Sequence, residues 1–145
     1  MSLRIVHLGK YYFPHTGGIE THVRTLAAAQ AERGDEVHVV CISHDRALPP
    51  DFWDGPVYVK RFAPRISLAK VDWVPAVTSY LDDLNCDILH LHVPNPAMTL
   101  AVLKMRRPAP MVLTYHSDVV GMPLRKLLFH PWDRRLMLRA KIIAA

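Results

Sequence analysis

Residues 4–20 read RIVHLGKYYFPHTGGIE and determine how the rest of the chain is interpreted. The apolar run at residues 4–9 predicts a buried strand, and an amphipathic helix is predicted over residues 19–33. Between them lie two adjacent glycines, Gly17 and Gly18, which allow the backbone to approach a ligand closely. The first free N–H groups of the helix would point at that ligand. We predict that the glycine pair cradles a phosphate or sugar oxygen; a tight turn without a ligand is the alternative.

Bulk composition indicates one globular domain with a substantial core. The chain has 145 residues, half of them hydrophobic, a formal net charge of +5 and a pI of about 9.5. Basic residues concentrate near the end, between Arg125 and Lys141, a segment that suits acidic lipid headgroups or a solvated face packed on a second domain. Two unclustered cysteines and the lack of a signal peptide or spanning segment predict a cytoplasmic protein.

Strands and helices alternate along the chain. We predict further strands at 36–42, 57–62, 87–93, 111–116 and 141–145, helices at 72–85 and 96–106, two short helices within 123–140 separated at Pro131, and an irregular stretch at 43–56. This order is typical of a Rossmann-like α/β fold, with a doubly wound, mostly parallel sheet and helices on both faces. Because the sequence stops within a strand, we expect it to be part of a longer chain.

Polar residues collect where the predicted strands end, which is where such sheets bind ligands. His116 ends the fifth strand and is a candidate to hydrogen-bond a sugar hydroxyl or phosphate, or to act as a base. His90 and His92 share one face of the fourth strand and could form a three-histidine metal site with His116, although hydrogen-bonded core histidines explain them more simply. Asn95, between two prolines, suits recognition of hydroxyl groups or a plain turn.

Several function classes are disfavoured by the motifs. The first loop lacks the Gly-x-Gly-x-x-Gly dinucleotide fingerprint, so a nicotinamide-dependent oxidoreductase is a weak alternative. The sequence has no nucleophile elbow and no Walker A motif. Nucleic-acid binding lacks a recognition motif, and the basic residues are confined to one end.

An ordered set of segments resembles the N-terminal domain of group 1 (family 4-like) retaining glycosyltransferases of the GT-B fold. The resemblance covers nearly the whole chain and depends on the set rather than on any single motif. The segments are residues 4–7 (RIVH), 12–20 (YFPHTGGIE), 22–23 (HV), 26–27 (LA), 34–40 (GDEVHVV), 87–92 (DILHLH) and 113–118 (LTYHSD).

The resemblance implies a specific activity. Such enzymes transfer a sugar from a nucleotide-diphosphate sugar to an acceptor with retention at the anomeric carbon, usually without a metal or other cofactor. The N-terminal domain mainly binds the acceptor, and a C-terminal domain, which we expect to be missing here, binds most of the donor. We therefore expect residues 1–145 alone to be inactive, or nearly so. A non-catalytic Rossmann-like ligand-binding module is the alternative.

The resemblance also implies roles for individual residues. Gly17 and Gly18 would lie near the donor diphosphate, and His116 would contact the transferred sugar. Candidate contacts to the acceptor or sugar, which would be a saccharide, lipid or small molecule, are His15, His92, Asn95 and Asp118. The expected protein is cytoplasmic, with peripheral contact at the inner membrane face through the basic segment as an open alternative.

Overall fold

The computed structural model describes residues 1–68, 71–116 and 123–144. Strands and helices alternate over much of its length. The strands are β1 (Arg4–Leu8), β2 (Glu36–Ile42), β3 (Asp51–Asp54), β4 (Val57–Phe62), β5 (Ile66–Leu68), β6 (Val71–Trp73), β7 (Ile88–Val93), β8 (Met111–Tyr115) and β9 (Ile142–Ala144). The helices are α1 (Gly18–Glu32), α2 (Ala76–Asp83), α3 (Pro96–Leu103) and α4 (Pro123–Arg139).

One sheet of seven strands organises the domain, in the order β3-β4-β2-β1-β7-β8-β9. Every neighbouring pair is parallel except β3 and β4. The chain builds outward from β1 through β2 to β4, and then returns to the other side of β1 to form β7. The predicted doubly wound, mostly parallel α/β fold is therefore confirmed, and its direction reverses between β1 and β7.

Helices cover both faces of the sheet. Alternate residues of β2 divide between two cores, with Val40 and Ile42 on one face and Val37, Val39 and Cys41 on the other. The first core includes side chains of α2, α3 and α4, whereas the second packs against α1. Period-two alternation thus fixes the face of each strand residue, as a sheet buried on both sides requires.

Three local predictions from sequence are wrong. The stretch 43–56 is not wholly irregular, because β3 lies within it and pairs antiparallel with β4. A two-residue turn joins these strands, and Gly55 in it has a φ of +60°. The prolines around β3 obscured this hairpin, although a glycine at the first position of a two-residue turn is itself a hairpin signal.

The predicted helix 72–85 begins late. Its first residues form β6, which pairs antiparallel with β5, and α2 starts only at Ala76. Pro75 precedes it in the right-handed helical conformation, with φ −63° and ψ −28°. A proline can begin a helix because N–H groups of the first turn have no partner within the helix, so the missing N–H of proline removes no helical hydrogen bond there.

The third error concerns Pro131, which we expected to separate two helices. The backbone of α4 continues through it from Pro123 to Arg139. A proline inside a helix removes one hydrogen bond and crowds the preceding turn, but packing of the remaining turns can retain the helix. Leu136 in the following turn is buried in the core.

The segment that bears most of the excess positive charge lies on and just after α4. In its second half, Arg134 and Arg135 are exposed, and Arg139 donates from Nη1 to the carbonyl oxygen of Leu103 at 3.3 Å. None of the described helices combines the length and the hydropathy needed to cross a bilayer.

The docking of α4 can be tested with two leucines on the same helix. Leu136 is 2% exposed and Leu138 is 78% exposed. We expect Leu136→Ala to lower the free energy of unfolding by about 3 kcal/mol, since it leaves a cavity in the core. The control Leu138→Ala should change it by less than about 0.5 kcal/mol. Chemical denaturation measures both; equal effects would contradict the placement of this helix.

Candidate active site

The carboxyl ends of β1 and β7 lie side by side at the point where the strand order reverses. Their register pairs His7 with His90 and Leu8 with Leu91. The following chain segments leave in opposite directions, which opens a crevice at this edge in doubly wound sheets. The loop after β1 carries the glycine pair, and His116 directly follows β8, the next strand along.

The loop after β1 is anchored by a buried tyrosine. The Tyr12 side chain is 1% exposed, and its hydroxyl donates to Oδ2 of Asp54 at 2.9 Å. Arg24 of α1 binds the same carboxylate through two nitrogens, at 2.7 and 3.0 Å. Its guanidinium also stacks over the ring of Phe13, 4.2 Å from the centroid. Side chains from β3 and α1 therefore hold the beginning of this loop in place.

Arg61 of β4 provides a second anchor. This arginine is 4% exposed, and its guanidinium donates to the backbone carbonyls of Phe13 and Pro49, the latter at 3.1 Å. The ring of Phe52 lies 4.2 Å from the guanidinium carbon. Because one planar group reaches two carbonyls, it fixes the loop after β1 relative to the loop after β2.

Gly17 and Gly18 lie at the start of α1, as predicted. Gly17 is the N-cap, with extended backbone at φ −172°, a conformation open to any residue. A Cβ there would collide with a carboxylate oxygen of Glu20, which folds back over the helix start. At Gly18 no heavy atom of the described residues lies within 4 Å of the position a Cβ would take. The first turn therefore attracts an anionic group and is open above Gly18.

His15 lies at the mouth of this loop. Its ring packs against Tyr11 and His44, with centroids 4.7 and 5.1 Å away, and its Nδ1 is 3.6 Å from Oε1 of Glu20. Among the described residues this nitrogen is buried without a hydrogen-bond partner. The loops after β1 and β2 thus meet here and place an unsatisfied polar atom beside Glu20.

Three histidines fill the sheet face beneath α1, where aliphatic residues would be expected. His7 belongs to β1 and both His90 and His92 to β7, and all three are buried. The rings of His90 and His92 stack with centroids 4.3 Å apart, and His7 lies 4.9 and 5.4 Å from them. The prediction that His90 and His92 share a face is confirmed.

The buried histidines are linked by hydrogen bonds into a row that reaches the crevice. Nε2 of His7 lies 2.6 Å from Oε1 of Gln30 on α1, and its Nδ1 lies 3.1 Å from Nε2 of His92. Nδ1 of His92 in turn lies 2.9 Å from Nε2 of His116. His90 forms a separate branch to Thr114 Oγ1, at 2.7 Å. We call Gln30, His7, His92 and His116 the histidine row.

Burial keeps these rings neutral. Desolvation lowers the pKa of His7 to about 4, and desolvation together with the neighbouring His7 lowers the pKa of His90 to about 3. Burial and the adjacent His90 lower the pKa of His92 to about 2. Burial and His22 also lower the pKa of His116, against an opposing effect of Glu20. A neutral imidazole has one donor and one acceptor nitrogen, so the row consists of directed hydrogen bonds.

His22 connects the row to the start of α1. Its ring meets His116 edge-on at 4.9 Å and His92 at 5.8 Å. Since His22 lies one turn after Gly18, His116, which directly follows β8, packs against the beginning of α1. The two parts of the predicted site, the glycine pair and His116, are therefore neighbours across one crevice.

The histidine row is arranged for hydrogen bonding rather than for binding a metal ion. Among the described residues, two sets of three have ring nitrogens within 4.8 Å of one another: His7, His90 and His92, and His22, His92 and His116. Both sets need a nitrogen of His92, yet one of its nitrogens is directed at His7 and the other at His116. A metal would have to break one of these bonds, and tetrahedral ligation needs nitrogens that converge on one point.

The remaining predicted site residues lie as follows. Asn95 is buried and caps α3, accepting a hydrogen bond from the backbone of Met98 at 3.3 Å, while its Nδ2 has no partner within the described part of the chain. Its turn role is therefore observed, and its recognition of hydroxyl groups stays a prediction. Asp118 lies outside the described residues.

Sequence reasoning missed four residues at this site: His7, Gln30, His22 and Glu20. Gln30 shares the apolar stripe of the first helix with Ile19 and Val23, and a polar residue on such a stripe needs a buried partner. His7 interrupts an apolar strand in the same way. These two exceptions to the hydrophobic pattern were the available signal.

A Rossmann-like domain with polar groups at its switch point defines a class of ligand-binding α/β proteins, and comparison with known proteins identifies the family. The model of Glycosyltransferase Family 4 matches residues 16–145. The chain therefore belongs to this glycosyltransferase family, as the motifs predicted.

Individual relatives agree with this assignment. The chain is 30% identical to O-antigen chain mannosyltransferase C of Escherichia coli and to a phosphatidyl-myo-inositol mannosyltransferase of Mycobacterium leprae, over 99% and 97% of its length. It covers 39% of each of these relatives. In fold it is similar to sucrose-phosphate synthase of Thermosynechococcus elongatus, with a TM-score of 0.73 at 15% identity over 97% of this chain and 41% of that one.

The buried histidines should make the fold sensitive to mild acid. Their folded pKa values lie below the unfolded value of about 6.5, so unfolding takes up protons as the pH falls below that value. Their contribution to the free energy of unfolding is complete above about pH 6.5 and is lost as the pH falls toward their folded pKa values. Between pH 7 and 5 we expect the free energy of unfolding to fall by about 2 kcal/mol for each of His7, His90 and His92.

Urea unfolding at pH 7, 6 and 5 measures this loss. His90→Gln, which can keep a hydrogen bond to Thr114, should reduce the loss by about 2 kcal/mol because one titrating group is gone. A free energy of unfolding that is constant from pH 7 to 5 in the unmodified chain would contradict the neutral, buried state of the histidines.

Proposed function

We propose that this chain is the N-terminal, acceptor-side domain of a retaining glycosyltransferase with the GT-B fold. The longer enzyme transfers a sugar from a nucleotide-diphosphate sugar to an acceptor hydroxyl. One observation carries the proposal: His116 packs, through His22, against the helix turn that begins at the glycine pair. A sugar donor has a diphosphate and a sugar side by side, which matches an anion-attracting helix start next to a hydrogen-bonding imidazole.

The donor diphosphate is assigned to the start of α1. Free backbone N–H groups and the helix dipole stabilise negative charge there, and the backbone is unobstructed above Gly18. The carboxylate of Glu20 now lies over Gly17, which is consistent with a position that favours an anion. A bound diphosphate would displace this carboxylate, since two anions would repel each other at one site.

In the transfer step the bond between the anomeric carbon and the diphosphate oxygen breaks. The acceptor oxygen bonds to that carbon on the same face, and its proton passes to the departing diphosphate. Negative charge grows on the leaving group, and N–H groups at the helix start stabilise it where it forms. His116 orients the sugar by a hydrogen bond to one of its hydroxyls, and no cofactor is assigned to the reaction.

An open groove supports an acceptor site on the outer side of the first loop. It has a volume of about 540 Å³ and is lined in part by Phe13, His15, Thr21 and Arg24. An aromatic ring with hydroxyl and charged groups beside it suits a sugar or a polar lipid headgroup. Asn95 and Asp118 stay candidates for contacts deeper in the crevice, whereas both ring nitrogens of His92 are already bonded within the histidine row. A cytoplasmic location, with peripheral membrane contact through the basic residues of α4, fits a lipid-linked acceptor.

Substitution of His116 tests the catalytic assignment. In the full-length enzyme, His116→Ala should lower kcat/KM for the donor about 100-fold, because the sugar loses its orienting contact. The control His38→Ala removes a histidine of β2 that hydrogen-bonds Glu36 away from the crevice, and should retain activity. Initial rates of sugar transfer measure the effect, and circular dichroism verifies that both variants fold. Transfer at the normal rate by His116→Ala would refute the role of His116 in orienting the sugar.

Two glycines whose substitutions should have opposite effects, Gly18 and Gly34, test the diphosphate assignment. Gly18→Ala places its Cβ in open space and favours the helix, so stability should rise by up to about 1 kcal/mol while donor affinity falls about tenfold. Gly34→Ala is the control: its φ of +97° disfavours a side chain, so stability should fall and donor affinity should not change. Calorimetric titration with the nucleoside diphosphate measures affinity. Unchanged binding by Gly18→Ala would contradict the assignment of the diphosphate to this loop.

A further inference from the structure

The histidine row runs without interruption from the last turn of α1 to the crevice. Its inner members are enclosed, since His7 is 0% and His92 1% exposed. Three hydrogen bonds of 2.6, 3.1 and 2.9 Å connect Gln30 to His116 through them. His116 and His92 were candidate site residues from the sequence, whereas Gln30 and His7 were not, and the hydrogen bonds that join all four need a physical explanation of their own.

The direction of the hydrogen bonds in the row follows from the end at Gln30. The oxygen of the Gln30 amide can only accept, so Nε2 of His7 carries the hydrogen. A neutral His7 then accepts at Nδ1, so Nε2 of His92 donates to it. By the same reasoning His92 accepts at Nδ1, and Nε2 of His116 donates to it. His116 is thereby left with Nδ1 as its acceptor nitrogen.

Without Gln30 the direction would not be determined. The two orientations of a row of three neutral imidazoles contain the same number of internal hydrogen bonds. They differ only at the ends, and reversal would set a lone pair of His7 against the Gln30 oxygen at 2.6 Å. The branch from His90 ends on Thr114 and joins the row through no hydrogen bond of its own. With its oxygen toward His7, as in this structure, the amide of Gln30 selects this orientation, whereas an amide turned over to present its NH2 group would select the opposite one.

We propose that Gln30 is a positioning residue that acts through His7 and His92 to hold His116 in its Nε2–H tautomer, so that Nδ1 accepts a hydrogen bond from a hydroxyl of the transferred sugar. The identity of that ligand rests on the proposed function, whereas the tautomer order rests on the hydrogen bonds alone. A sugar hydroxyl is both donor and acceptor, and the fixed tautomer decides which of these it is at His116. The other tautomer would present an N–H to the sugar and would orient the hydroxyl differently.

The tautomers can be measured directly. In the chain labelled with [¹⁵N]histidine, long-range ¹H–¹⁵N spectra at pH 8 distinguish a protonated from an unprotonated ring nitrogen, and single histidine substitutions assign the signals. We expect Nε2–H and an unprotonated Nδ1 in His7, His92 and His116. An Nδ1–H tautomer of His116 in the unmodified chain would overturn the proposal without recourse to any variant.

Two substitutions of Gln30 test its role. Gln30→Leu removes the acceptor at similar size, and we expect a mixture of tautomers at His116. Gln30→Glu retains an acceptor oxygen and should keep the single tautomer. In the full-length enzyme kcat should fall about tenfold or more in Gln30→Leu, as when the wrong tautomer of a functional histidine is populated, and change less than about twofold in Gln30→Glu.

The two readouts separate the possible failures. A single His116 tautomer in Gln30→Leu, or unchanged turnover in that variant, would overturn the positioning role. If the full-length enzyme transfers no sugar at all, the proposed function fails and with it the sugar as ligand of Nδ1, while the tautomer order is judged by the spectra.

Discussion

The hydrogen-bonded row from Gln30 to His116 is the constraint on which the site depends. Two imidazoles in its interior are withdrawn from water, and each uses both nitrogens to reach its neighbours. Unpaired, such groups would carry a desolvation cost of about 1–3 kcal/mol each, so the row is stable only when every member is bonded. Because α1 supplies one end and β8 leads into the other, the row also fixes how the helix lies on the sheet.

This arrangement explains the location of both parts of the predicted site, the glycine pair and His116. The histidines occupy the sheet face beneath α1 at the strands where the winding reverses, and the helix above them starts at Gly18. The loop before that helix is held by Tyr12 and Arg61, whose partners lie on β3 and in neighbouring loops. Rigid strands thus place the helix start and His116 side by side, which is the condition for orienting a two-part ligand such as a sugar diphosphate.

Sequence patterns predicted the parts of this architecture that depend on local periodicity. The parallel strands, the glycine pair at a helix start and His116 at a strand end followed from alternation and spacing. The hairpin of β3 and β4 was missed because prolines surround it, and α4 continues through Pro131 because tertiary packing outweighs a local break. The histidine row was not predictable as a unit, since Gln30, His7 and His92 are far apart in sequence and meet only through sheet order. The roles of Gly17, Gly18 and His116 toward a ligand stay predictions.

A structure of the full-length enzyme with its sugar donor bound would test the central claim most directly. The account predicts a sugar hydroxyl at about 2.6–3.2 Å from Nδ1 of His116, with Nε2 of the same ring still bonded to His92, and diphosphate oxygens at the backbone N–H groups that begin α1. A His116 ring that turns Nε2 toward the sugar, or a diphosphate that binds away from Gly17 and Gly18, would contradict it.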